Sequence, residues 1–168
     1  NRALTSVNLL KNYLGGGAAA IVDVAKRNGT INTLCGIEEG RTEVGFFSHG
    51  LEAPDAVLLS FDLECNRSLK SANLAYNDIG DDGVIAISAA LESNTTLTAL
   101  NLHGKGYGIV IGDAGARAIA KMLVVNTALT SVNLLHNDLG GGAAAIVAAA
   151  KRKGKIKTLC GIKSGQTE

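Results

Sequence analysis

Residues 3–43 return as residues 128–168, displaced by 125 positions, with 31 identities in 41 aligned positions. A duplication this faithful restricts the chain to a stacked array, because each copy must present to its neighbours the surface its twin presents. In such an array a unit touches only the units beside it. Function then belongs to an extended surface built from equivalent positions, not to a pocket closed by distant loops.

A shorter unit lies inside the long one. Leu69-Lys-Ser-Ala72-Asn-Leu74-Ala-Tyr-Asn77-Asp-Ile79 fits the pattern L-x-x-L-x-L-x-x-N-x-L, with Ala in fourth place. Leu4 to Leu14 fits with Val7 and Asn12, and Leu129 to Leu139 with Val132 and Asn137. Leu97-Thr-Ala-Leu100-Asn-Leu102 supplies six positions and then departs. Arg41 to Leu51 is a degenerate copy with His49 in the Asn place, and Ile31–Gly36 and Ile156–Gly161 supply only the opening strand. First positions therefore fall at 4, 31, 41, 69, 97, 129 and 156.

On these residues the chain resembles leucine-rich repeat proteins of the ribonuclease-inhibitor-like subtype, whose units of about 28 residues each hold a strand and a full helix. The resemblance covers nearly the whole chain. It implies an α/β solenoid, with a parallel sheet on the concave face and helices on the convex face. Two steps depart from the unit length: the 10 residues from Ile31 to Arg41 leave no room for a helix, and the 32 from Leu97 to Leu129 hold four extra residues around Gly104-Lys-Gly-Tyr-Gly108.

Elementary patterning leads to the same place. Within L-x-x-L-x-L the apolar fourth and sixth positions alternate with polar ones, the period of a strand with one buried face. Strands are expected at Val7, Leu34, Val44, Ala72, Leu100, Val132 and Leu159. Helices are expected near 16–27, 53–64, 82–92, 113–124 and 141–152. Asp81 and Asp82 precede the third, where carboxylates suit a helix N-terminus. Leu74 and Leu102 take equivalent core positions.

Composition narrows the function. The 168 residues suffice for one repeat core and leave no room for a second domain of ordinary size, so the chain is read as a single array, 1–168. It starts and stops inside units, which suggests an excerpt of a longer array with terminal units uncapped. Ile156–Ile162 is expected as an open edge strand, and self-association through a terminus follows as an expectation. No apolar run approaches a membrane span, and a cytoplasmic setting is expected. The three cysteines, Cys35, Cys65 and Cys160, are too few and too far apart for a disulfide framework. Residues 126–168 carry a net charge of +4, concentrated in Lys151-Arg-Lys153, Lys155, Lys157 and Lys163. No aromatic residue interleaves that run, so nucleic acid is not the expected partner.

No catalytic set is legible. Serines and histidines occur outside G-x-S-x-G and H-E-x-x-H contexts. Gly15–Ala18 and Gly104–Gly108 lack the spacing of phosphate loops. Asn12, Asn77 and Asn137, with His49 in the same slot, are expected to satisfy buried backbone. His103 and His136 follow their strands with no Cys, Asp or Glu at ligand spacing, so neither a metal nor a cofactor is expected. What remains is the exposed strand face and the turns after it. Lys11, Tyr13, Lys70, Asn73, Tyr76, Asn101, His103, Tyr107, Asn133 and His136 are the candidate contacts for a protein partner. Three readings stay open. The first is a non-catalytic protein-recognition module. The second is a GTPase-activating array resembling the Ran GTPase-activating proteins. The third is a structural spacer or assembly segment.

Overall fold

The computed structural model describes residues 3–159 and the backbone of residues 162 and 163. Five helices alternate with short strands: α1 (Gly17–Asn28), β1 (Glu43–Gly45), α2 (Ala53–Cys65), β2 (Ser71–Asn73), α3 (Gly80–Ser93), β3 (Ala99–Asn101), α4 (Asp113–Val125), β4 (Ser131–Asn133), α5 (Gly142–Lys153), β5 (Thr158–Leu159) and β6 (Ile162–Lys163). The sheet runs β1-β2-β3-β4-β5-β6 in sequence order. β1 to β5 pair in parallel and in one register, so Val44, Ala72, Leu100, Val132 and Leu159 stand side by side. The result is an α/β solenoid: strands on one side, helices on the other, and between them a core in which Leu74 and Leu102 are both buried.

Helices approach one another closely because each has a small residue where the next one crosses. A Cβ at Gly115 of α4 would lie 2.5 Å from Val84 and 2.6 Å from Asp81 on α3. Asp81 has a further task there. Its Oδ1 accepts the N–H groups of Gly112 (2.7 Å) and Gly115 (3.0 Å), so it caps α4 of the next unit and not its own helix. A place at the start of its own helix was expected; from the first turn of α3 the carboxylate reaches forward instead, because Gly112 and Gly115 let the start of α4 come close to it.

The strongest joint between units lies where each helix ends. Asn66, Asn94 and Asn126 are the C-caps of α2, α3 and α4. Asn94 Nδ2 donates to Leu63 O (2.7 Å), and Asn126 Nδ2 donates to Leu91 O (2.6 Å) and Asn94 O (2.9 Å), all in the preceding unit. Each Oδ1 accepts N–H groups two and three residues on, such as Leu97 (2.8 Å) and Leu129 (2.8 Å). One side chain thus ends a helix, shapes the turn into the next strand and binds the neighbouring unit. Lys153 holds the same place in the last unit, and its Nζ donates to Val124 O and Val125 O. That commits one cation of the basic run to structure.

The ninth-position asparagines behave as expected only inside the stack. Asn77 is buried, donating to Phe46 O of the preceding unit (2.7 Å) and accepting from Leu51 N (2.9 Å). Asn137 does the same with Leu102 O (2.8 Å) and Ile111 N (3.0 Å). Asn12 is exposed and bonds only Leu9 O and Leu10 O of its own turn. His49 is exposed too, with Nδ1 2.9 Å from Phe47 O, so it closes its own turn without reaching a neighbour.

Two expectations at the ends require correction. The segments around Val7 and Leu34 do not join the sheet; they meet each other through isolated bridges, Ser6 to Thr33 and Asn8 to Cys35. The 10-residue step leaves them no helix to set the spacing. Carboxylates of α2 hold them instead: Asp62 accepts Leu34 N (2.7 Å), Cys35 N (3.3 Å) and the Thr33 hydroxyl (2.5 Å), and Asp55 accepts Lys11 N (2.7 Å). At the other end β6 pairs antiparallel with β5, Thr158 with Lys163 and Leu159 with Ile162, and so covers the edge expected to be open.

These geometries make a prediction. Asn126→Ala removes four bonds and strands buried carbonyls, each costing about 1–3 kcal/mol when left unpaired. Urea denaturation is expected to show a loss of about 3 kcal/mol for Asn126→Ala and well under about 1 kcal/mol for the exposed Asn12→Ala.

Candidate protein-binding face

The strand face carries two parallel rows. In the first, Gly45, Asn73, Asn101 and Asn133 are register partners across β1 to β4. Asn73 Oδ1 accepts Ala75 N (3.2 Å), Asn101 accepts His103 N (3.1 Å) and Asn133 accepts Leu135 N (3.1 Å). The asparagines therefore turn the chain out of each strand, and their amide donors are what remains for a partner. Exposed Lys70 lies at the entry to β2; its carbonyl accepts Thr98 N (2.8 Å) and Ala99 N (3.0 Å).

The second row follows the turn. Lys11, Ser48, Tyr76 and His136 occupy the eighth place of their units, all left-handed, with φ of 62°, 55°, 61° and 56°. The parallel ladder persists through these turns: Ser48 N donates to Ala75 O (2.9 Å), Tyr76 N to His103 O (2.8 Å) and Gly104 N to Leu135 O (2.8 Å). Rings at the seventh and eighth places are brought into rank. Phe47 lies against Tyr76 with centres 5.0 Å apart, Tyr76 against His103 at 4.9 Å, and His103 against His136 at 4.7 Å. This unbroken aromatic row crosses four units beside the asparagine row. Phe47 is 53% exposed although it is a large apolar side chain.

The inserted loop fixes the row at its His end. Gly104 N and Gly106 N donate to Leu135 O and His136 O, and a Cβ at Gly104 would lie 2.2 Å from His136 O. Only glycine admits that approach. Lys105 pairs with Asp78 at 2.5 Å. Beyond them Tyr107 and Ile109 stand 74% and 58% exposed at the loop tip.

Of the ten candidates, the structure brings Tyr76, His103 and His136 into ring contact and sets Asn73, Asn101 and Asn133 in register beside them. Tyr107 joins no ring stack among the described residues. Lys11 and Tyr13 form a second cluster, lining a cleft of about 250 Å³ with Gly50, Glu52, Pro54 and Asp55. Phe47 was missed. Its signal is its seventh place in the degenerate unit, equivalent to that of His103.

No group of three or more His, Cys, Asp or Glu side chains is placed to hold a metal ion among the described residues, and none of their helices is long and apolar enough to cross a membrane. Cys35 is buried, and burial first, then the Asp62 and Asp55 carboxylates, push its thiol well above the usual range, so the reactive thiolate is suppressed. Asp62 is raised by burial, opposed by the bonds it accepts from Thr33, Leu34 and Cys35.

Comparisons with known proteins agree with this architecture. Residues 58–88 match the family model described as "Leucine Rich repeat". Among solved structures the chain is similar to "Leiomodin-1 Actin-Binding Site 2 (ABS2)", with a TM-score of 0.61 and 27% identity over 70% of this chain and 68% of that one. No curated protein matches the sequence. The class is an α/β solenoid of leucine-rich repeat type.

The row titrates. Burial, then the neighbouring His136, hold the His103 pKa below its ordinary value. A base whose folded pKa lies below its unfolded value contributes stability that is present above the unfolded pKa and lost as pH falls through that window. Between about pH 7 and pH 5 the urea midpoint of the parent is therefore expected to fall further than that of His103→Gln, which cannot charge.

Proposed function

We propose that this chain is a non-catalytic recognition module of ribonuclease-inhibitor-like repeats that docks a partner protein on its strand face. The observation that carries the reading is the aromatic row. Rings held in rank by a rigid backbone offer large contact area at small entropic cost, and tyrosine is among the residues that dominate interface energetics. The asparagine row beside it offers amide donors at strand spacing. Such pairing of aromatic anchors with a polar strip is how protein interfaces combine affinity with register.

A second reading narrows the partner to actin. Its support is the similarity to a structure whose name describes an actin-binding site. The GTPase-activating and spacer readings draw on no arrangement of residues here.

The test compares three immobilised proteins: the parent, the Phe47→Ser/Tyr76→Ala double variant, and Lys121→Ala on the exposed side of α4. Each is exposed to filamentous actin and to source lysate. The parent and Lys121→Ala are expected to retain the same partner, and the double variant to lose it by at least about tenfold, the equivalent of about 1.4 kcal/mol. Equal capture by the double variant would overturn the docking face; capture from lysate without actin would overturn the second reading alone.

A further inference from the structure

His103 and His136 lie 33 positions apart in sequence, and stacking sets their imidazoles together. His103 Nε2 is 3.1 Å from His136 Nδ1, with ring centres 4.7 Å apart and planes at 81°. The two lengths together exclude a head-on approach of the rings. Imidazoles meeting head to head through a hydrogen bond of this length would set their centres about 5.4 Å apart, since a ring nitrogen lies about 1.2 Å from its ring centre. The observed centres are closer, so the nitrogens stand partly abreast. Two imidazoles sharing one zinc ion at about 2.0–2.1 Å in a near-tetrahedral bite have nitrogens about 3.1–3.4 Å apart and centres about 4.9–5.2 Å apart. The pair lies nearer to that bite than to a linear hydrogen bond.

The backbone under the pair is fixed from several sides. His103 N is held by Asn101 Oδ1, and Tyr76 packs against the His103 ring. His136 sits in a left-handed turn, with the Gly104–Gly106 segment bonded to Leu135 O and His136 O. Metal ligation uses the lone pair of a neutral imidazole. The ammonium of Lys105, two residues on, is paired with Asp78.

We propose that His103 and His136 together bind a divalent transition-metal ion of the imidazole-preferring class, Zn²⁺, Ni²⁺ or Cu²⁺, as two of its ligands. Among the described residues no third His, Cys, Asp or Glu completes a cluster, so the ion keeps open positions. Water fills them in the free protein, and a side chain of a docked protein replaces water at the interface. The site stands at the end of the aromatic row, which makes the metal a bridge between this chain and its partner.

The experiment uses the free protein, so its failure leaves the docking reading standing. Zn²⁺ is titrated at about pH 7.5 into a Cys65→Ser/Cys160→Ser background, which removes thiol ligands outside the pair, and imidazole ¹⁵N resonances are followed. His103 Nε2 and His136 Nδ1 are expected to shift in one step with one ion per chain, while His49 does not. His103→Gln and His136→Gln are each expected to weaken binding at least tenfold with unchanged circular dichroism, and binding is expected to vanish near about pH 5, where imidazole is protonated. Unshifted nitrogens at about 1 mM Zn²⁺, or Gln variants that titrate like the parent, would overturn the proposal.

Discussion

The helices α3 and α4 end on buried asparagines, and a helix end leaves carbonyls that its own backbone cannot satisfy. The rest of the structure depends on where those carbonyls find donors. Asn94 and Asn126 reach back to Leu63 O, Leu91 O and Asn94 O, while their own Oδ1 atoms bind the turn into the next strand. Asn77 and Asn137 do the corresponding work where strands end. Hydrophobic burial makes the units stack, but it is non-directional. Buried amides with every donor paired fix the register, because a slip by one residue would strand them all.

Register at the strands becomes order at the surface. Once Gly45, Asn73, Asn101 and Asn133 stand in line, the left-handed turns after them deliver side chains at a constant spacing. The row uses the seventh place in Phe47 and His103 and the eighth in Tyr76 and His136. Alternation between the two places lets successive rings overlap without collision. The inserted loop adds a wall at one end, where Gly104 passes too close to His136 for any side chain. A flat polar sheet thereby acquires an edge with shape.

Much of the fold was legible because its signals are local. The apolar alternation at Val44, Ala72, Leu100, Val132 and Leu159 placed the parallel strands, and all five helices lie within a few residues of their expected bounds. What escaped depends on contacts between units. Asn66, Asn94 and Asn126 recur three residues before their leading leucines, outside the L-x-x-L-x-L frame that drew the sequence expectations. Val7 and Leu34 carry a strand pattern without a place in the sheet: Asp62 takes the N–H groups of Leu34 and Cys35, and Val7 N donates to Thr33 O. The candidate site was half legible. Tyr76, His103 and His136 read as candidate contacts near one rim, and the stacking register is what puts their rings in contact.

The claim that this edge is the docking surface is tested most directly by amide hydrogen exchange on the protein with and without its captured partner. Binding is expected to slow exchange in the turns at 46–49, 75–78, 103–107 and 135–138, leaving the amides of α2 to α4 unchanged. Protection confined to the helices, with those four turns exchanging as in the free protein, would contradict the account.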